Sequence, residues 1–72
     1  MAERFYITPP FVYHNIAHLW AVYQHAGFTR KDIATRAQVS ERAIMKYENG
    51  AQFPSRKVYN KLAETLGWAK WL

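Results

Sequence analysis

The chain has 72 residues and no cysteine. No other feature limits so strongly what it can fold into. A domain of this size buries only about 60% of the surface that its unfolded chain exposes, and small folds commonly offset the shortfall with disulfides or a thiolate-bound metal. Neither is open here, so a disulfide-stapled secreted miniprotein, a zinc knuckle and thiol chemistry are excluded. A single domain must form by packing, completed where necessary by a second subunit, and a deep catalytic cleft is out of reach. Half of the residues are apolar and 17% are aromatic, which suits a compact core and not a disordered tail.

The apolar residues recur with a helical period. Residues 1–10 end in Pro9-Pro10 and carry the β-prone Phe5, Tyr6 and Ile7, so they read as an extended arm. From Phe11, the residues Val12, Ile16, Leu19, Trp20 and Tyr23 form one stripe of a helix over 11–26, and Gly27 sits at its stop position. Thr29 and Asp32 form a variant capping box for a helix over 30–37, with Ile33 and Ala34 inward. Ser40 caps a helix over 41–48, with Glu41 suited to its dipole and Ile44 and Tyr47 inward, before Asn49-Gly50 ends it. Ser55 caps a last helix over 55–66, buried through Val58, Tyr59, Leu62 and Leu66 and stopped by Gly67. An apolar tail, 68–72, remains. The expected fold is all-α, a compact four- to five-helix domain with an extended N-terminal arm.

Ten Lys and Arg against five Asp and Glu give a net charge of +5, which points to a polyanionic partner. Residues 1–27 are neutral, 28–50 hold five positive and three negative charges, and 51–72 hold four positive and one negative. The excess therefore lies in the last two thirds. No apolar run approaches the roughly 20 residues of a membrane span, and no signal-peptide pattern opens the chain, so a cytoplasmic protein without membrane association is expected.

Two short helices, 30–37 and 41–48, joined by a three-residue turn have the dimensions of a helix-turn-helix, whose second helix enters the major groove. Ala34 supplies the small residue where the helices cross, and Ile33, Ala37, Val39, Ile44 and Tyr47 face inward. With Gly27-Phe28-Thr29-Arg30, Ile33-Ala34, Val39-Ser40, Tyr47-Glu48-Asn49-Gly50, Pro54-Ser55, Leu62-Ala63 and Leu66-Gly67 at these offsets, the chain resembles the lambda-repressor-like DNA-binding domains, the Cro/C1-type group, over about residues 15–68. Two positions depart from the family pattern. Arg30 stands where the family usually has a Gln that braces against a phosphate, and an arginine can make that contact with a full charge. Gln38 stands where the turn usually has Gly, at a cost of roughly 1 kcal/mol if φ is positive.

The resemblance implies base contacts from Glu41, Arg42, Met45 and Lys46. Arg42 suits guanine O6 and N7, Lys46 a second guanine or a phosphate, and Met45 a thymine methyl. Glu41 either accepts from cytosine N4 or is a helix-end charge that orients Arg42. Phosphate contacts are expected from Arg30, Lys31, Ser40, Asn49, Arg56 and Lys57, with a plain solvated charge as the competing reading for Lys31, Arg56 and Lys57. Glu48 is expected to tie down structure by pairing with a basic residue such as Arg36.

His14 and His18 stand four apart, superficially like a zinc-protease motif, but Asn15 replaces the general base and no third ligand is evident. With His25 they fall opposite the apolar stripe and are expected to face solvent. No metal or other cofactor is implied. Trp20, Tyr23, Phe28, Tyr47, Phe53 and Tyr59 read as core. Phe5, Tyr6, Ile7, Trp68, Trp71 and Leu72 are more apolar surface than a monomer needs and point to a homodimer interface. The alternative is that the tail folds back over the first helix and completes a monomeric core. The leading function is a sequence-specific regulator of transcription, a dimeric Cro-like or phage-type repressor on operator half-sites of double-stranded DNA, without enzymatic activity. The alternative is an antitoxin or accessory module that chiefly grips a protein partner. Met1 and a full helical set point to a whole protein, with an excised N-terminal domain of a longer repressor as the alternative.

Overall fold

Helical structure begins at Pro10, whose missing N–H is one of those that the first turn of a helix leaves unpaired in any case. The computed structural model describes residues 8–72, and all of its regular structure is helical. The elements are α1 (Pro10–Ala17), α2 (Leu19–His25), α3 (Arg30–Ala37), α4 (Glu41–Glu48) and α5 (Arg56–Leu66). Pro9 is extended and forms the N-cap of α1. Phe5, Tyr6 and Ile7 lie outside the described residues.

The single helix expected over 11–26 is two helices. They break at His18, where φ is −107° and ψ is 12° and the backbone N–H bonds Asn15 O at 3.1 Å, one residue short of the α-helical partner. Neither glycine nor proline stands there, so no local signal marked it. Trp20, expected in the core, is at the surface and 51% exposed. Leu19 and Tyr23 set the inward direction of α2, and Trp20 lies about 80° off it. Phe53, also expected inside, is 38% exposed and rests its ring on Tyr13 with centroids 5.1 Å apart.

Each later helix starts on a side-chain cap. Thr29 Oγ1 accepts from Asp32 N at 3.1 Å while Thr29 N donates to Asp32 Oδ2 at 2.9 Å, closing a full capping box. Those bonds hold the Asp32 carboxyl below its ordinary pKa. Ser40 Oγ accepts from Ala43 N at 3.0 Å and Ser55 Oγ from Val58 N at 3.2 Å. The core joins Val12, Ile16, Leu19 and Tyr23 to Ile33, Ala34 and Ala37, Ile44 and Tyr47, and Tyr59, Leu62 and Ala63. Two small residues, Ala34 and Ala37, let α3 lie close against α4 and α5.

The tail turns back at Gly67, whose φ of 76° suits the C-cap position, and packs on α5. Asn60 grips it twice: Trp71 N donates to Asn60 Oδ1 at 2.7 Å, and Asn60 Nδ2 donates to Trp71 O at 2.9 Å. Trp68 stacks on Tyr59 at 5.7 Å and Trp71 meets the same ring edge-on at 6.1 Å. Trp68 and Trp71, expected at a subunit interface, are therefore packed against their own chain, Trp71 being only 8% exposed. Leu72 is 95% exposed.

Candidate nucleic-acid interface

α4 carries the candidate site, and its backbone is fixed at both ends. Ser40 caps the start. At the other end Lys46 O accepts from Ala51 N at 3.0 Å and Gln52 N at 3.3 Å, and Asn49 Oδ1 accepts from Ala51 N at 3.0 Å, which shapes the loop that follows. Ile44 and Tyr47 bury one side. The opposite side presents Arg42, Met45, Lys46 and Asn49, spaced i, i+3, i+4 and i+7, and these four line one surface depression together with Ala51. Met45 is 44% exposed, an apolar side chain open to solvent between two cations. Glu41 is exposed on the first turn of α4, outside that depression.

The residues expected on phosphates are placed less uniformly. Lys31 and Lys57 are exposed near the starts of α3 and α5. Ser40 is exposed, with its oxygen engaged as the cap. The Arg56 guanidinium lies over the Trp71 ring, 5.7 Å from its centroid. Arg30 opens α3, and its guanidinium grips Glu48 at the end of α4: Nη2 donates to Oε1 at 2.8 Å and Nε to Oε2 at 3.3 Å. The Tyr23 hydroxyl donates to the same Oε2. Glu48 thus joins three helices, with its side chain 11% exposed against 36% for Arg30. Glu48 ties down structure as expected, but its partner is Arg30 and not Arg36, whose guanidinium caps the Phe28 ring at 4.9 Å.

This clasp leaves a chemical signature. Burial, followed by the bond to Glu48 and its charge, pushes the Tyr23 phenol up from 10.0 to about 12, and the carboxylate raises Arg30 further above its already high value. Tyr23 as a partner of Glu48 is not legible in the sequence, because the hydroxyl of a core tyrosine carries no periodic signal.

The turn between α3 and α4 is the remaining determinant of how α4 is presented. Gln38 is left-handed, with φ 60° and ψ 42°, the one such non-glycine residue among those described. Val39 N reaches back to Ala34 O at 3.0 Å and Gln38 N to Thr35 O at 3.2 Å, so the helix end is closed as a glycine would close it.

A short α3, a left-handed turn and a second helix offering a polar, cationic stripe define a helix-turn-helix of the DNA-binding kind. The family model for the helix-turn-helix domain matches residues 19–69, and the chain belongs to that family, in keeping with its resemblance to the lambda-repressor-like domains. No curated protein and no solved structure gives a significant match. Among the described residues, no helix is long and apolar enough to cross a membrane.

Proposed function

We propose that the protein is a sequence-specific transcriptional regulator, a repressor of the Cro or phage type that occupies operator half-sites as a homodimer. One observation carries the reading: Arg42, Met45, Lys46 and Asn49 share a single depression on the exposed side of a helix whose opposite side is buried and whose ends are capped. Arg42 supplies a bidentate donor pair for guanine, Met45 an apolar surface for a thymine methyl, and Lys46 a second cation. Glu41 orients Arg42 or accepts from cytosine N4. Asn49, with its oxygen held by Ala51 N, offers its amide N–H groups to a phosphate. Arg30 uses Nε and one Nη2 hydrogen on Glu48 and keeps its other guanidinium hydrogens for a backbone contact, alongside Lys31, Ser40, Arg56 and Lys57.

The deciding experiment is a fluorescence-anisotropy titration on the duplex upstream of the gene, with a scrambled duplex as control, at two salt concentrations. Preference for the upstream duplex by at least ~10³ supports the reading. Equal, weak and steeply salt-sensitive binding to both overturns it and turns attention to a protein partner. Arg42→Ala then costs roughly 1–3 kcal/mol on the operator and relaxes discrimination at one base pair, while Arg30→Ala weakens operator and scrambled duplex by the same factor. Equal losses on both duplexes for the two variants would refute these roles.

A further inference from the structure

The face of the molecule that the DNA-binding reading leaves unused is the outer side of α1 and α2. Between Arg4 and Arg30 the sequence has no Lys, Arg, Asp or Glu, so these two helices meet solvent without a single permanent charge. A solvated surface ordinarily carries charge on about a quarter to a third of its positions. Opposite the buried Val12, Ile16, Leu19 and Tyr23 runs a second stripe, Phe11, His14, His18, Ala21 and His25. Its spacing of three, four, three and four residues is that of a helix-pairing seam. The break at His18 does not divide it. The His14 and His18 rings lie 4.5 Å apart across the junction, and His18, Ala21, Val22 and His25 line one predominantly apolar depression. Phe11 is 38% exposed at the head of the stripe.

We propose that this face docks a second copy of the same chain. Charge identifies the occupant. The excess of cations lies on residues 28–72, so two copies meeting through α3 or α5 would bring like charges together, and α4 is taken by the proposed DNA contact, whereas meeting through α1 and α2 brings no charges together. An acidic partner would be drawn to the basic elements and not to this one. A twofold contact places the seam against itself, with Ala21 as the small residue that permits close approach and the imidazoles of His14, His18 and His25 along it. The tail is the competing surface, and its two tryptophans are already packed on α5. The inference rests on the homodimer reading above and supplies the surface for it.

Sedimentation equilibrium of the full chain without DNA, from micromolar to millimolar concentration, tests it. The expected result is a reversible monomer–dimer equilibrium whose dissociation constant rises at least ~10-fold for Ala21→Lys and for His25→Lys and is unchanged for Leu72→Lys. Both lysines fall on exposed helical positions, and circular dichroism confirms that each variant is folded. Loss of the dimer in Leu72→Lys alone overturns the proposal in favour of the tail, and a monomer throughout overturns it outright. The DNA titration is independent of these outcomes. A dimer sensitive to Ala21→Lys that shows no operator preference defeats the regulator reading alone, and a monomer that still prefers the upstream duplex defeats the docking face and the homodimer with it but leaves the operator-binding reading standing.

Discussion

Gln38 occupies a backbone conformation that costs an L-residue roughly 1–2 kcal/mol, because its Cβ crowds the adjacent carbonyl. The turn tolerates this because both carbonyl–amide bonds of the helix end are made around it. Gln38→Gly removes the crowding and adds freedom to the unfolded chain, so the two effects partly cancel. The net expectation is a gain of about 1 kcal/mol, or about 4–8 °C in Tm for a domain of this length, measured by thermal melts in circular dichroism. A lower Tm would show that the glutamine side chain makes a contact of greater worth than the strain. This position was legible from the sequence as an oddity, since a turn that calls for positive φ held a residue that avoids it.

At the scale of the element, α4 is held by a clasp that spans three helices. Tyr23 and Arg30 both bond Glu48, so α2, α3 and α4 are fixed through one carboxylate. The Tyr23 phenol has a folded pKa near 12 against 10.0 for the free group. A group raised in this way releases its proton more readily when unfolded, so its contribution to stability is whole below about pH 10 and is lost as pH rises toward 12. Thermal melts from neutral to strongly alkaline pH are expected to show Tm falling across that window. Tyr23→Phe is expected to lower Tm at neutral pH and to flatten part of the alkaline fall, with the remainder due to Tyr47, which burial also raises. An alkaline slope identical in the two proteins would remove Tyr23 from the clasp. The elements themselves were legible wherever the cause was local: Thr29 with Asp32, Ser40 and Ser55 are signals read within three residues. The junction at His18 and the Arg30–Glu48 pair were not, since the first has no local marker and the second joins residues 18 apart.

At the scale of the whole molecule, a core too small to be secure is completed by the chain's own end. The six largest side chains under 2% exposed, Tyr59, Leu19, Ile33, Ile44, Leu62 and Val12, form its centre. Around them Tyr59 is the hub: its hydroxyl accepts from Asn15 Nδ2 at 2.8 Å on α1 and donates to Ala69 O at 3.4 Å, while its ring meets both Trp68 and Trp71. From sequence alone the tail's apolarity was plain but its destination was not, because the decisive residue is Asn60, an unremarked polar position on the last helix. Its two bonds satisfy the Trp71 backbone N–H and carbonyl and let the indole be buried without stranding them. Removal of a buried tryptophan side chain costs about 3–5 kcal/mol, and a domain below ~70–80 residues rarely has more than about 3–5 kcal/mol to lose. Trp71→Ala is therefore expected to leave a large unfolded fraction at room temperature in urea titrations extrapolated to water. Leu72→Ala, one residue further on at 95% exposure, is expected to stay within about 0.5 kcal/mol of the parent. Equal midpoints for the two variants would mean that the tail is not part of the core in solution and that its tryptophans are available to a partner.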